Sequence, residues 1–551
     1  MTTVSPELAP QPSAAPTDSF EKLDAWLDSA SDWLNPLLVK EARQSLKSWQ
    51  FLITFGLTLL ASWFWSVIAI LFTPDHQWDS GHAGRMLLMG YVWILGFPLI
   101  VIVPFTAFRS LAIEREDGTF ELLSVSTLTP EQIVFGKLSA AMLQLGIYLS
   151  VLAPCIAFTY LLRGMDVFTI IFIVVVMVAV STFLATLSLL LATTTRVRLW
   201  QTLLSVAMVI GLMAVFGFTS GMLSEMLDRN QRINWGESEL PLVAGAAFLF
   251  HVTTVALMMA ASASRLTFAA DNYSTRLRML MLLQSGCIFG WICWLISTNV
   301  SGPDVRAMPF VGAIFGGIYW FIMGVFLNAE GDELSPRARR ELPRTLLGRL
   351  LLSWFQPGPS TGYVFAVLNG SILAAACVGR GAFSMSAFPL PPGFGAWELF
   401  WGMTTFCSAY LAFYLGVGRL AMIGINRLLS ASAAGYEVHV QGAPLISLVV
   451  HVALLGLGTI GPLILHALLG IREYTALQAT NPFWTIAAMM MRPTFSEAIL
   501  AISPIVIAAA ALFIFNVVIA AKSIVVPREA TPARVRDDDV SLGRPANSNS
   551  L

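Results

Sequence analysis

Long uncharged apolar stretches alternate with short polar ones along the whole chain. Windows free of Asp, Glu, Lys and Arg run 48–74, 86–108, 138–162, 167–195, 199–224, 240–264, 279–303, 307–329, 350–379, 399–418, 438–471 and 498–521. About 20 apolar helical residues cross a bilayer core, so each window predicts one transmembrane helix. The windows are continuously apolar and lack the strict alternation of lipid-facing strands, which disfavours a barrel. The pattern therefore predicts an all-α polytopic membrane protein with about twelve spans. The stretch 381–397 is also uncharged, but Pro389, Pro391, Pro392 and several glycines make it a loop.

Composition narrows the class further. Of 551 residues, 56% are hydrophobic and only 12% charged, where an average soluble domain has roughly 25%. A soluble enzyme of this size is excluded. The net charge of -1 leaves no basic surplus for nucleic acid. Lys and Arg are distributed asymmetrically. Of the 32, all but Arg85, Arg163, Arg229, Arg232, Arg306, Arg380, Arg472 and Arg492 fall on the side of the two termini. By the positive-inside rule both termini are cytoplasmic, and the cell (inner) membrane is the expected location. Residues 1–19, rich in Pro, Ser, Ala and Thr, lack the basic start and apolar stretch of a signal peptide and read as a disordered tail. Residues 526–551 read the same way. The five cysteines lie in or beside apolar spans without metal spacing, and read as small packing residues.

The polar segments on the terminal side carry the remaining information. Over 20–50 two amphipathic helices are predicted. In the first, Phe20, Leu23, Leu27, Ala30 and Leu34 share a side, while Glu21, Asp24, Asp28 and Asp32 line the other. An acidic face suits protein better than an anionic leaflet. Asn35-Pro36 restarts the chain, and Leu38, Ala42, Leu46 and Trp49 then share one side of a helix suited to the membrane interface, with Lys40, Arg43, Gln44 and Lys47 largely elsewhere. A solvated linker is the alternative. Between the second and third spans, Glu114, Asp117 and Glu121 form an acidic stripe on a predicted helix over 109–128, with Gly118 as a weak point. Thr129, Pro130 and Gln132 then spell a capped helix start. A charged helix held tightly between two spans suits force transmission; an ordinary connector is the competing reading.

At these residues the chain resembles a known family. Ile113, Glu114, Glu116, Gly118, Thr119, Glu121, Leu122 and Leu123, followed by Leu128, Pro130, Ile133, Gly136 and Lys137, look like the coupling loop of ABC-transporter permeases of the second, exporter type. Asn35-Pro36-Leu37-Leu38-Val39-Lys40-Glu41 is similar to the start of such permeases. The resemblance covers about 33–265. It implies an interfacial helix leading into a six-span permease domain over 51–265. It also implies that Glu114, Arg115, Glu116, Asp117, Gly118, Thr119 and Glu121 couple to a separate ATP-hydrolysing subunit. No cofactor is then bound directly, and ATP acts through that partner.

Residues 266–525 depart from the plain pattern by adding a second six-helix region. Its connection 328–361 is again long and charged, with Glu330, Asp332, Glu333 and Glu341, so a fused pseudo-dimer is one expectation and a homodimer another. No Gly-x-x-x-x-Gly-Lys-Ser/Thr loop is present, in keeping with a non-enzymatic permease that borrows its nucleotide-binding subunit. His251, His451 and His466 lie inside apolar spans and are candidates for a transport path, or are structural histidines bonded to neighbours. Asp75, His76, Asp79 and His82 cluster in one loop with metal-binding types, against which stands a polar loop holding them by chance. The segment Asn481-Pro482-Phe483-Trp484 to Met491 is apolar for a loop. It either re-enters the membrane or lies on the bundle. An ion-gradient-driven transporter and a non-transporting scaffold are the alternatives to an exporter. The substrate is not encoded in any motif.

Overall fold

The computed structural model describes residues 36–74, 82–116, 128–161, 166–194, 198–228, 240–267, 272–297, 303–331, 343, 345, 348–349, 352–384, 395–432, 444–470, 474–491 and 495–524. Among these, twelve helices are long and apolar enough to cross a bilayer, and no strand occurs. The chain is an all-helical, multi-pass membrane protein. The predicted helix over 20–34, both tails, and Asp75, His76 and Asp79 lie outside the described residues.

The helices fall into two compact units, the first reaching Ile233 and the second running from Asn234 onward, apart from a short exchange at Thr193–Val197. The first holds the interfacial helix α1 (Pro36–Leu46) and α2 (Trp49–Phe72). The second span is built from α3 (His82–Phe97), a π turn (Pro98–Ile102) and α4 (Val103–Glu116). After it come α5 (Pro130–Leu161), α6 (Val167–Ala192) and α7 (Arg198–Asp228).

Several starts follow the predicted chemistry. The Ser48 hydroxyl accepts from the Phe51 N–H at 3.2 Å and caps α2. Thr129 and Gln132 form a reciprocal capping box at α5: Thr129 N–H donates to Gln132 Oε1 (2.9 Å), and Gln132 N–H to Thr129 Oγ1 (3.3 Å). Pro98 lacks an N–H and sits at the head of the π turn, where the Leu99 carbonyl accepts from Ser181 on α6 at 2.6 Å. A backbone irregularity inside a span persists only when its polar groups find such partners. Around this span, Tyr91 bonds Ser66 of α2 (2.6 Å) and Trp93 donates to Ser224 of α7 (2.9 Å). On α2 itself Leu52, Ile53, Leu57, Leu60, Trp63 and Phe64 stand exposed. That apolar surface is what lipid covers.

The second unit contains α8 (Leu240–Leu266), α9 (Ser274–Ser297), α10 (Pro303–Leu327), α11 (Pro359–Ser384), α12 (Ala396–Ser432), α13 (Pro444–Leu469), α14 (Pro482–Met490) and α15 (Phe495–Ile524). Helix α8 packs on α9, where Gln284 donates to Thr254 at 2.6 Å. The core lies among α10, α11, α12 and α15, with Trp320, Tyr363, Cys377 and Leu415 fully buried. Helix α12 outruns its uncharged window at Arg419, whose guanidinium is buried and bonded to Asn516 on α15 and Ser360 on α11.

The segment before α14 descends beside α13. Thr480 Oγ1 donates to the Gly458 carbonyl (2.9 Å) and Asn481 Nδ2 to that of Thr459 (3.0 Å). Tyr410 and Tyr414 of α12 donate to the carbonyls of Ala479 and Thr480, each at 2.5 Å. Thr459 stands about ten residues, ~15 Å, from the Leu469 end of its helix. The segment is packed on α12 and α13, and the two phenols supply donors to its backbone carbonyls.

Candidate functional site

Most Lys and Arg of each unit belong to the connections on the side of the termini, its basic end. In the first unit one ammonium organises that end. Lys137 lies two turns into α5, and its side chain is fully buried. Its Nζ sits 2.9 Å from Glu41 Oε1 on α1, 3.0 Å from Glu114 Oε2 on α4, and 3.3 Å from the Ser110 carbonyl. Lys40 approaches Glu114 from outside at 3.9 Å. A buried Lys is tolerated only when paired and hydrogen-bonded, and here two carboxylates and a carbonyl meet all three donors. The interfacial helix, the end of the second span and the start of the third are thus tied at one point.

The predicted coupling residues divide accordingly. Glu114 belongs to this cluster. Arg115 is half-buried and Glu116 exposed on the last turn of α4. Asp117, Gly118, Thr119 and Glu121 lie outside the described residues. Lys137 and Glu41 were visible only as positions in two separate family-like stretches. Nothing in their spacing, nearly a hundred residues apart in sequence, said that they meet.

The second unit has a comparable knot at its own basic end. Arg278 of α9 is fully buried and pairs with Glu330, just past α10, at 2.6 Å. The other oxygen of Glu330 accepts from Ser274 (2.6 Å), and the first also accepts from Gly358 N–H (2.8 Å). Arg278 donates onward to the carbonyls of Trp354 and Gly358, reaches Thr361 Oγ1 at 3.4 Å, and lies 5.6 Å from the Phe365 ring centroid. Gly358 has φ 151°, a backbone state that favours glycine. Burial, then the charge of Glu330, holds the nearby Tyr273 phenol above its usual range, so it stays protonated as pH rises past that range. In both units a buried cation–carboxylate pair fastens the basic end of a span to the chain around the next one.

The three histidines are not gathered into one site. His251 is half-buried on α8. His451 and His466 share α13, about 22 Å apart along its axis. His451 is buried, with Nδ1 2.7 Å from the Ser447 carbonyl and Nε2 3.2 Å from Asn328 Nδ2. That geometry assigns the proton to Nδ1 and makes Nε2 the acceptor. Gly418 allows the close approach, since a Cβ there would fall 2.2 Å from Nε2. His466 packs edge-on against Trp484, centroids 4.7 Å apart. Among the described residues no group of His, Cys, Asp and Glu could hold a metal ion.

These features define a class: an all-α polytopic membrane protein with charged knots at the basic ends of its units. No protein-family model, curated protein or solved structure matches the chain.

Proposed function

We propose that the chain is the membrane-spanning permease subunit of an ATP-driven exporter of the ABC class, working with a separate ATPase subunit. The observation that carries the reading is the Lys137 cluster. Two family-like stretches, one holding Glu41 and the other Glu114 and Lys137, are far apart in sequence, and they converge on one ammonium. Glu114 near the end of α4 is tied to Lys137 of α5, and the Thr129 capping box starts α5. In this reading Asp117, Gly118, Thr119 and Glu121 receive a push that the Lys137 cluster shares between the second and third spans. In this reading the ATPase subunit supplies the push when ATP closes it, and both termini lie on its side of the cell membrane. The two comparable knots favour two levers per chain.

The test is co-expression with an ABC-type ATPase encoded beside this gene, followed by purification in detergent. The expected result is a stable, ATP-hydrolysing complex. Deleting 112–123 leaves the chain membrane-inserted but removes the ATPase from it. Unchanged co-purification after that deletion refutes the reading.

A further inference from the structure

Beside the Lys137 cluster the first unit contains an open-sided cavity of about 540 Å³, lined by residues of α1, the start of α2, α4 and α5. That volume falls in the roughly 300–1,000 Å³ range of small-ligand sites. Its wall is unusual for a membrane bundle, because Gln44, Ser45, Gln50 and Arg109 are among the residues that line it. Among the described residues Arg109 makes no ion pair. Glu41 and Glu114 also line the cavity, but Lys137 sits 2.9 and 3.0 Å from them and Lys40 3.9 Å from the second. Two carboxylates therefore face two lysines, and Arg109 is a surplus cation. The start of α2 adds the positive end of a helix. An ammonium or another cation is poorly served here, since Lys137 already occupies the carboxylates. An anion is well served.

The cavity's location selects among anions. Helix α1 is the amphipathic element ahead of the first span, and α2 begins at the cavity and exposes Trp49, Leu52 and Ile53 at its basic end. A ligand with its charged part against Arg109 has an apolar track for chains immediately alongside. Arg forms paired hydrogen bonds to phosphate oxygens, and the Gln and Ser side chains supply the neutral bonds that ester and glycerol oxygens need.

From this we infer that the cavity binds the phosphodiester headgroup of a glycerophospholipid from the adjacent leaflet. The site goes beyond the exporter reading and needs no ATPase to exist.

Native mass spectrometry of the full chain in detergent tests it. Phosphatidylglycerol is titrated in parallel with diacylglycerol of the same chains. The expected result is one saturable phosphatidylglycerol, bound about tenfold more tightly than the diacylglycerol. Arg109→Ala reduces its affinity to the diacylglycerol level, while Arg109→Lys keeps most of it. Ser45→Phe fills the cavity without changing a charge and also removes binding, so the result does not depend on one variant folding. Inorganic phosphate at millimolar concentration leaves the bound lipid in place. Equal binding of the two lipids overturns the proposal. So does unaltered binding in folded Arg109→Ala and Ser45→Phe chains. Displacement by inorganic phosphate assigns the site to the free anion and overturns the lipid source.

Discussion

Removing the charges around Lys137 one side at a time separates two costs that a simple count of salt bridges would merge. Lys137 is the fully buried member of the cluster, whereas the side chains of Glu41 and Glu114 retain 12% and 16% of their exposure. In Glu41→Gln/Glu114→Gln the ammonium stays in place with neutral neighbours only. Leaving a buried charge uncompensated costs about 3–5 kcal/mol. In Lys137→Met the two carboxylates lose their partner but can turn toward water, so the cost is smaller, about 1–3 kcal/mol. The triple variant Glu41→Gln/Glu114→Gln/Lys137→Met removes every charge and recovers most of the loss. The readout is local. An isolated helix as short as α1 is marginal in water, so its order depends on docking through Glu41. Hydrogen exchange of 36–46 in detergent micelles measures that docking. With about 1.4 kcal/mol per tenfold change, the double Gln variant exchanges faster by about a hundredfold or more. Lys137→Met exchanges faster by a smaller factor, and the triple variant returns toward the parent. The reasoning fails if the double Gln variant keeps its protection, or if Lys137→Met is the more damaging change.

Two further outcomes follow from the second unit. Gly418→Ala places a Cβ 2.2 Å from His451 Nε2, and overpacking of this kind costs about 1–3 kcal/mol. On a His451→Ala background the same change costs little, and a double-mutant cycle by detergent-denaturant unfolding checks the coupling. Arg278→Lys keeps the charge but loses the fork that serves Glu330 and the carbonyls of Trp354 and Gly358 at once. It lowers stability by about 2–3 kcal/mol, whereas a loss under about 0.5 kcal/mol would show the fork to be unimportant.

Much of the secondary structure was legible because a bilayer imposes a one-dimensional rule: an uncharged run of sufficient length becomes a helix. The rule counts spans but does not set helix length, since a charged residue can lie within a helix. Arg419 ends an apolar window yet lies within α12, where Asn516 and Ser360 bond it. Capping chemistry was equally readable at Thr129-Pro130-x-Gln132, since every partner lies within one turn. The segment at Asn481 left two readings open, and its packing partners Tyr410 and Tyr414 lie more than sixty residues upstream.

Glu114 was legible as part of an acidic pattern, and Glu330 as part of a charged connection. Neither pattern named a cation. Lys137 and Arg278 became partners only because packing removed water from around them, and a desolvated charge must find its opposite within bonding distance. What the chain determined by itself is what local forces decide: apolar runs, basic flanks and capped helix starts. The tertiary structure alone decided which buried charges meet, because that follows from which helix faces are pressed together.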